Sequence, residues 1–211
     1  MPLHTDAVQT VGKVPVDFRQ LSVTALSLTA HKFHGPAGIG ALVVRPEVQL
    51  RPLLWGGFQQ GGLRPGTEPV ALAVGLQKTL ELWQQEADAR FERITALRDR
   101  LENLLRAEFP DLLVNGAGAT RLPHTTNIAF PGLDRQALLM ALDLAGVACS
   151  TGSACASGSS DPSPVLLAMG LPTPIVNSAL RFSLGAFTTD AEVGEAVRRI
   201  SQIVKDLQRK K

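Results

Sequence analysis

One of the two cysteines, Cys155, stands among small residues, because residues 150–157 read Ser-Thr-Gly-Ser-Ala-Cys-Ala-Ser. Serine, threonine, glycine and alanine build no hydrophobic core, and Gly152 and Gly158 allow the backbone to bend. Cysteine is usually buried as a small apolar residue, so this setting indicates a reactive thiol on a loop, where the thiolate is the nucleophile. The alternative is an unreactive cysteine in a serine- and glycine-rich linker.

A second motif places Lys32 between two apolar runs, residues 23–28 and 39–44, each of which predicts a buried strand. His31 and His34 flank the lysine on this short connection. A lysine at the end of a buried strand can lose part of its water, which lowers the pKa of the amine and makes it a nucleophile for Schiff-base chemistry. The alternative is an ordinary solvated lysine.

Upstream, residues 4–9 read His-Thr-Asp-Ala-Val-Gln and supply a carboxylate, Asp6, and an amide, Gln9, at the mouth of a further predicted strand. A carboxylate in this position suits the protonated pyridine nitrogen of a pyridoxal phosphate cofactor. An acid, a lysine at a strand end and a thiol on a loop together indicate such chemistry, although none of the three is specific by itself.

Five segments resemble, in the same order and at close to the same spacing, those of the NifS/IscS-like cysteine desulfurases, pyridoxal phosphate enzymes of the fold-type I aminotransferase group. They extend over nearly the whole chain and are residues 4–9, 29–36, 57–67, 150–155 and 180–185. The fourth segment, residues 150–155, favours the NifS/IscS subgroup over the SufS-like one, whose cysteine lies on a shorter loop. The resemblance implies the carboxyl-terminal half of such an enzyme, with an α/β fold made of part of the large-domain sheet and a small α+β domain.

The resemblance assigns most of a cofactor site to the beginning of the chain. It implies that Lys32 forms the Schiff base with pyridoxal phosphate and later transfers protons. Asp6 would hold the pyridinium proton, and Gln9 would hydrogen-bond the phenolic oxygen of the ring. Thr29 and His31 would bind the cofactor phosphate.

The resemblance also implies roles further along the chain. Thr67 would reach the cofactor phosphate of the neighbouring subunit, which implies a homodimer, and Arg181 would bind the substrate carboxylate through its planar two-pronged donor. Cys155 would attack the sulfur of L-cysteine and keep it as a persulfide, which releases L-alanine. The sulfur would then serve iron–sulfur assembly, through an acceptor such as a scaffold protein, or thio-modification.

Each of these assigned residues also has a structural alternative. Asp6 and Gln9 could be turn residues, and Thr29 and His31 could bond loop backbone groups. Thr67 could cap a helix, and Arg181 could be a surface side chain. The other cysteine, Cys149, follows an apolar stretch and is predicted to pack in the core. Two alternative functions are a selenocysteine lyase or related pyridoxal phosphate lyase, and a non-catalytic fragment that dimerises. Activity on L-cysteine that disappears without Cys155 favours the desulfurase.

The sequence departs from the family pattern mainly in length, because its 211 residues are about half of what these enzymes usually have. The family's amino-terminal half, with a phosphate-binding turn, a ring-stacking histidine and an asparagine beside the phenolic oxygen, has no counterpart here. Ala186 stands where related sequences carry arginine, and Gln59-Gln60 where they carry histidine and glutamate. We therefore expect a fragment or one part of a split enzyme, which alone binds the cofactor weakly.

Composition limits the other classes of function. The 21 basic and 19 acidic residues give a net charge of +2, and the basic concentration at residues 198–211 is typical of a solvated helix rather than a nucleic-acid site. No apolar run approaches the ~20 residues that cross a bilayer, and no charged-then-apolar leader opens the chain. Two cysteines make no metal set, and a reduced thiol fits a cytoplasmic protein.

The predicted elements favour two domains. Residues 1–90, with βαβ-like material up to Val44, form the remnant of the large cofactor-binding domain, and residues 91–211 form the small domain that carries the cysteine loop. One long helix is expected over residues 70–109, ended by Pro110. Beyond it, the patterns predict a short strand just before the Cys155 loop, strands at 112–114, 126–130 and 180–184, and helices at 135–145 and 191–209.

Overall fold

The computed structural model describes residues 1–152 and 161–209, so Cys155 lies outside the described residues. The chain forms two compact units, Met1–Arg90 and Phe91–Lys211. A long helix, α1 (Val70–Glu108), begins in the first unit and ends in the second. This confirms the predicted long helix, since leucine and alanine favour helix and Pro110 cannot continue it. Within the described ranges, no helix combines the length and the apolar character that a bilayer span requires.

The first unit is built on a three-stranded sheet of β1 (His4–Asp6), β2 (Ala25–Thr29) and β3 (Gly40–Val44). β1 runs parallel to β2, and β3 pairs antiparallel on the other side of β2. A short 3₁₀ helix, Ala30–Phe33, follows β2 directly. The core of this unit consists of buried residues from the sheet and its connections, with two leucines of α1 packed against them: Ala7, Val11, Leu26, Phe33, Leu76 and Leu80.

The connection from β1 to β2 consists of turns, so the βαβ-like prediction was wrong about the intervening helix. Gly12 explains part of the difference, because its backbone is left-handed, with φ 75°, and an α-helix needs right-handed angles. A Cβ atom at this position would also lie 2.4 Å from Cβ of Phe33. Pro15 follows, and proline is not tolerated inside a helix. The connection therefore packs closely against the 3₁₀ helix.

The second unit holds an antiparallel sheet in the order β4 (Leu113–Val114), β5 (Thr125–Ala129) and β6 (Ala179–Ser183). One face of this sheet contributes Ile128, Leu180 and Phe182 to the main core. The described helices that follow α1 are α2 (Arg135–Leu144), α3 (Pro164–Ala168), α4 (Thr173–Val176) and α5 (Asp190–Arg209). The predicted strands at 112–114, 126–130 and 180–184 and the helices at 135–145 and 191–209 are confirmed, with small shifts at their ends.

The predicted short strand before the Cys155 loop is wrong, because the segment after α2 forms the cap of that helix. Gly146 adopts φ 75° and its N–H donates to the carbonyl of Asp143, while the N–H of Val147 donates to the carbonyl of Leu142. This pair of bonds is a Schellman cap, which uses the backbone groups that strand pairing would need. The chain next meets the sheet at Ser150, in an isolated bridge.

Candidate active site

Two parallel strands of the first unit bring polar side chains to one edge of its sheet. Asp6 is the last residue of β1 and pairs with Ser27 of β2. β2 ends two residues later, at Thr29. The 3₁₀ helix that follows β2 carries His31 and Lys32. The carboxyl ends of adjacent parallel strands share one edge of a sheet, where open α/β sheets bind their ligands. The fold therefore brings Asp6, Thr29, His31 and Lys32 to the same edge.

The carboxylate of Asp6 is exposed and is partly engaged by its own turn. Its Oδ1 accepts a hydrogen bond from the backbone N–H of Val8 over 2.9 Å. This contact fits the structural alternative, a turn residue, that the sequence left open for Asp6. No donor within the described residues bonds to Oδ2, so one carboxylate oxygen is left for an external cationic group.

Gln9 is held by a lysine that the sequence reasoning missed. The amine of Lys13 donates to Oε1 of Gln9 over 3.0 Å, which turns the amide nitrogen of Gln9 away from Lys13. Burial and, to a smaller extent, the positive charge of Lys32 together lower the pKa of Lys13 to about 8. Lys32 therefore lies close enough to Lys13 for repulsion. The spacing of four residues between Gln9 and Lys13 is the signal that could have identified this contact.

Thr29 and His31 form one hydrogen-bonded unit. The Thr29 hydroxyl donates to the carbonyl of Ile39 over 2.9 Å, and its oxygen lies 3.0 Å from Nδ1 of His31. A hydroxyl has a single proton, so the second bond requires that Nδ1–H of His31 be the donor. Nε2 of the exposed ring then remains for an external ligand. The loop role considered for Thr29 is therefore present, and the phosphate role predicted for His31 requires a ring that carries both protons, so that Nε2–H donates as well.

Thr67 is exposed in the segment between β3 and α1. It does not cap α1, because the first helical bond there runs from the N–H of Ala73 to the carbonyl of Pro69. Within the described residues the Thr67 side chain makes no hydrogen bond, so neither of its two predicted roles is visible inside this unit.

Arg181 lies on β6 of the second unit, with its side chain half-exposed. Its backbone is fixed by Ser150, whose N–H donates to the Arg181 carbonyl over 3.0 Å. Within the part of the chain that the structure describes, Arg181 has no acidic partner. The guanidinium is therefore a cation on a rigid strand, and the binding of a substrate carboxylate by it stays a prediction.

Cys149 packs against the core of the second unit, as predicted. Burial raises the pKa of its thiol to about 11, and the negative charge of Asp143 adds to the increase. At neutral pH the thiol is therefore almost entirely protonated and a poor nucleophile. The nucleophilic role predicted for Cys155, which lies outside the described residues, stays a prediction.

The edge of the first unit combines four kinds of chemistry. It offers a carboxylate oxygen, an amide N–H, an imidazole nitrogen and a primary amine, from Asp6, Gln9, His31 and Lys32. Among the described residues, no three His, Cys, Asp or Glu side chains lie close enough together to ligate a metal ion. Its four groups could together hold an organic ligand that carries a basic ring nitrogen, an oxygen acceptor, an anionic group and an aldehyde.

Comparison with known proteins agrees with this description. A cysteine desulfurase from Trichormus azollae is 46% identical over 204 residues, which are 97% of this chain and 51% of the relative. The chain thus spans about half the length of the curated relatives that it matches.

Solved structures give the same result for the fold. A NifS-like protein matches with a TM-score of 0.87 and 33% identity, over 98% of this chain and 53% of that one. SspA in complex with cysteine matches with a TM-score of 0.66 and 34% identity, over 90% of this chain and 52% of that one. These matches confirm the expected α/β fold with partial sheets and the resemblance to NifS/IscS-like proteins. Because the family model for class-V aminotransferases also matches residues 1–195, the chain belongs to that family.

Proposed function

We propose that this chain serves in a pyridoxal phosphate-dependent cysteine desulfurase, which converts L-cysteine to L-alanine and keeps the sulfur as a protein persulfide. The observation that carries the proposal is the grouping of Asp6, Gln9 and Lys32 at one edge of the first unit's sheet. The 46% identity to a named cysteine desulfurase and the match to SspA in complex with cysteine support the same substrate.

The residues of this edge fit the parts of pyridoxal phosphate. Oδ2 of Asp6 would hold the proton on the pyridine nitrogen, and the amide of Gln9 would donate to the phenolic oxygen. With both ring nitrogens protonated, His31 would donate from Nε2–H to the phosphate, with Thr29 fixing the orientation of the ring. Lys32 would attach to the aldehyde and later carry a proton. When bound, the cofactor withdraws electrons from the α-carbon of the substrate.

The remaining steps involve two residues of the second half of the chain together with Lys32. Arg181 binds the substrate carboxylate, and the thiolate of Cys155 attacks the substrate sulfur. An S–S bond forms while the C–S bond breaks, and the carbon keeps the bonding electron pair and takes a proton by way of Lys32. L-cysteine and one protein thiol thus give L-alanine and one protein persulfide, with no external oxidant.

A persulfide must be passed on, so the proposal includes a sulfur acceptor such as an iron–sulfur scaffold protein or a thio-modification enzyme. It also includes a homodimer in which Thr67 reaches the cofactor phosphate of the other subunit. The exposed position of Thr67 in the segment before α1 supports that role. A cytoplasmic location is part of the proposal, because the catalytic thiol must stay reduced.

The test measures L-alanine and persulfide formed from L-cysteine by the purified protein with added pyridoxal phosphate. We expect both products to disappear in Cys155→Ala and to persist in the matched control Cys149→Ala. The visible absorption of the attached cofactor should be lost in Lys32→Ala. A wild-type protein that binds no cofactor and forms no alanine even when the missing amino-terminal half is supplied in trans would contradict the proposal. Turnover of L-selenocysteine alone, persisting in Cys155→Ala, would instead favour a selenocysteine lyase.

A further inference from the structure

Four polar residues form a row across the sheet of the second unit. Asn127 of β5 lies directly opposite Arg181 of β6 in the strand register. Ser150 pairs with Arg181 on its other side, and the N–H of Asn115, which follows β4, donates to the Asn127 carbonyl over 2.9 Å. Side chains directly opposite each other on neighbouring strands share a face of the sheet. Asn115, Asn127, Arg181 and Ser150 therefore project from one face and are called the polar row.

The backbone hydrogen bonds bring the side chains of Asn127 and Arg181 close together. The N–H of Ser150 donates to the Arg181 carbonyl over 3.0 Å, and the N–H of Arg181 donates to the Ser150 carbonyl over 2.6 Å. Both backbone groups of Arg181 thus point away from β5, so Arg181 and Asn127 form a non-hydrogen-bonded pair. In such antiparallel pairs the Cα atoms lie about 4.5 Å apart and the side chains are nearer than in bonded pairs.

The polar row lies on the face that does not form the main core. Ile128, Leu180 and Phe182, the sequence neighbours of the row, are buried in that core. Because successive side chains of a strand point to opposite faces, Asn127 and Arg181 point the other way. Both are half-buried, so each is restrained by its surroundings and still reachable by a small ligand.

Asn115 fixes which end of the Asn127 amide faces the ligand side. Nδ2 of Asn115 donates to Oδ1 of Asn127 over 2.6 Å. The carbonyl oxygen of the Asn127 amide is therefore turned toward Asn115, and its NH₂ group is turned away. A guanidinium and an amide NH₂ are both donors only, so side by side they suit a two-oxygen anion. The Ser150 hydroxyl donates to the Gly152 carbonyl over 3.2 Å and is already engaged.

We propose that Asn127 binds the carboxylate of the amino-acid substrate together with Arg181, and that Asn115 is the residue that positions the Asn127 amide. This inference rests on the proposed function, which identifies the substrate as L-cysteine. A carboxylate held by two donors on adjacent rigid strands is fixed in orientation as well as attracted. A single long arginine side chain provides the attraction with less control of the orientation.

The first measurement compares L-alanine, the product, with ethylamine, which has the same amine and methyl group without the carboxylate. The ¹⁵N-labelled full chain with pyridoxal phosphate is titrated with each compound, and the side-chain amide signals of Asn127 are followed by NMR. We expect these signals to shift with L-alanine and to stay in place with ethylamine. Equal shifts with both compounds would overturn the proposal.

Substitutions then separate the roles of the two asparagines. Asn127→Asp keeps the acceptor for Asn115 but replaces the NH₂ group by an anionic oxygen, so the affinity for L-alanine should fall about tenfold. Asn115→Asp offers an acceptor where a donor stood, so the Asn127 amide should rotate and the affinity should fall about threefold to tenfold. Ser183→Ala, on the same strand and face as Arg181, is the matched control and should change nothing.

Steady-state kinetics provide the second readout. Both asparagine variants should raise KM for L-cysteine by a similar factor, with kcat changed less than twofold. Wild-type affinity for L-alanine in Asn127→Asp, with an unchanged thermal unfolding curve, would overturn the proposal. If Asn127→Asp does not fold, an unchanged affinity for L-alanine in Asn115→Asp would overturn the proposal. Binding of L-alanine by a wild-type protein that releases no sulfur from L-cysteine would contradict the proposed function alone.

Discussion

At the scale of single residues, the chemistry of the first unit involves two lysines. From the sequence, loss of water was expected at Lys32, which leaves a buried strand. Burial acts on Lys13, as does the nearby charge of Lys32, and together they lower the pKa of Lys13 to about 8. Below that pH the Lys13 ammonium holds Gln9, and above it Lys13 is a neutral amine. The unit therefore contains a second potential nucleophile beside the predicted one.

We predict that pyridoxal phosphate attaches to Lys32. Borohydride reduction at pH 7 and peptide mapping should place the pyridoxyl group on Lys32, because Lys32 directly follows β2 at the sheet edge, whereas the amine of Lys13 is engaged by Gln9. Labelling of Lys13 by excess cofactor should increase as the pH rises through 8, since deprotonation frees its lone pair. Lys13→Met should lose only this second label. A wild-type label found at pH 7 on Lys13 instead of Lys32 would refute the assignment.

The two cysteines should differ strongly in reactivity. Burial and Asp143 raise the pKa of Cys149 to about 11, so its thiolate is scarce until the pH approaches that value. A cysteine with an ordinary pKa forms far more thiolate at neutral pH, so iodoacetamide should modify Cys155 at least about tenfold faster than Cys149 at pH 7.5. Mass spectrometry of digests taken over time measures both rates. Equal rates would show that Cys149 is as available as Cys155.

At the scale of elements, the β1–β2 connection and the 3₁₀ helix position Lys32 through one close contact. Gly12 allows the connection to approach Phe33, which follows Lys32 in the chain, and no larger residue fits there without movement. Phe33 is itself buried in the core of the unit. The position of the predicted cofactor lysine therefore depends on a glycine that lies outside every binding role.

We predict that Gly12→Ala destabilises the protein by about 2 kcal/mol or more, because it adds a Cβ clash to left-handed backbone strain. Gly61→Ala is the matched control, since Gly61 is also left-handed but has no neighbouring atom within 4 Å of an added Cβ. It should cost only about 1 kcal/mol. Urea denaturation of both variants measures the difference. Equal losses would mean that the contact with Phe33 is easily relieved.

At the scale of the whole molecule, the segment before α1 exposes large apolar side chains. Leu53, Trp55 and Phe58 are 93%, 84% and 93% exposed. Exposed apolar groups of this size are typical of interaction surfaces. The segment also carries Thr67, which the family resemblance assigns to the neighbouring subunit's site. A second copy of the chain is therefore the partner that we propose for it.

We predict that Trp55→Ser combined with Phe58→Ser weakens this dimer at least about tenfold, because two large apolar side chains are then not buried on association. Sedimentation over a range of concentrations measures the dissociation constant. Val165→Ser, another exposed apolar position, is the control and should leave the constant unchanged. Identical constants for the double variant and the wild type would place the interface elsewhere.

The sequence by itself determined the family, the long helix and most of the strands. Short motifs such as Asp6–Gln9 and the periodicity of residues 70–109 are local, so they can be read without knowing which distant residues they meet. The family resemblance assigned Lys32, Arg181 and Cys155 their roles by position, and those roles stay predictions. The tertiary structure decided which groups meet. Burial and a neighbouring charge act on Lys13, and strand register sets Asn127 beside Arg181. Desolvation and register both depend on residues far apart in the chain, so no local pattern reveals them.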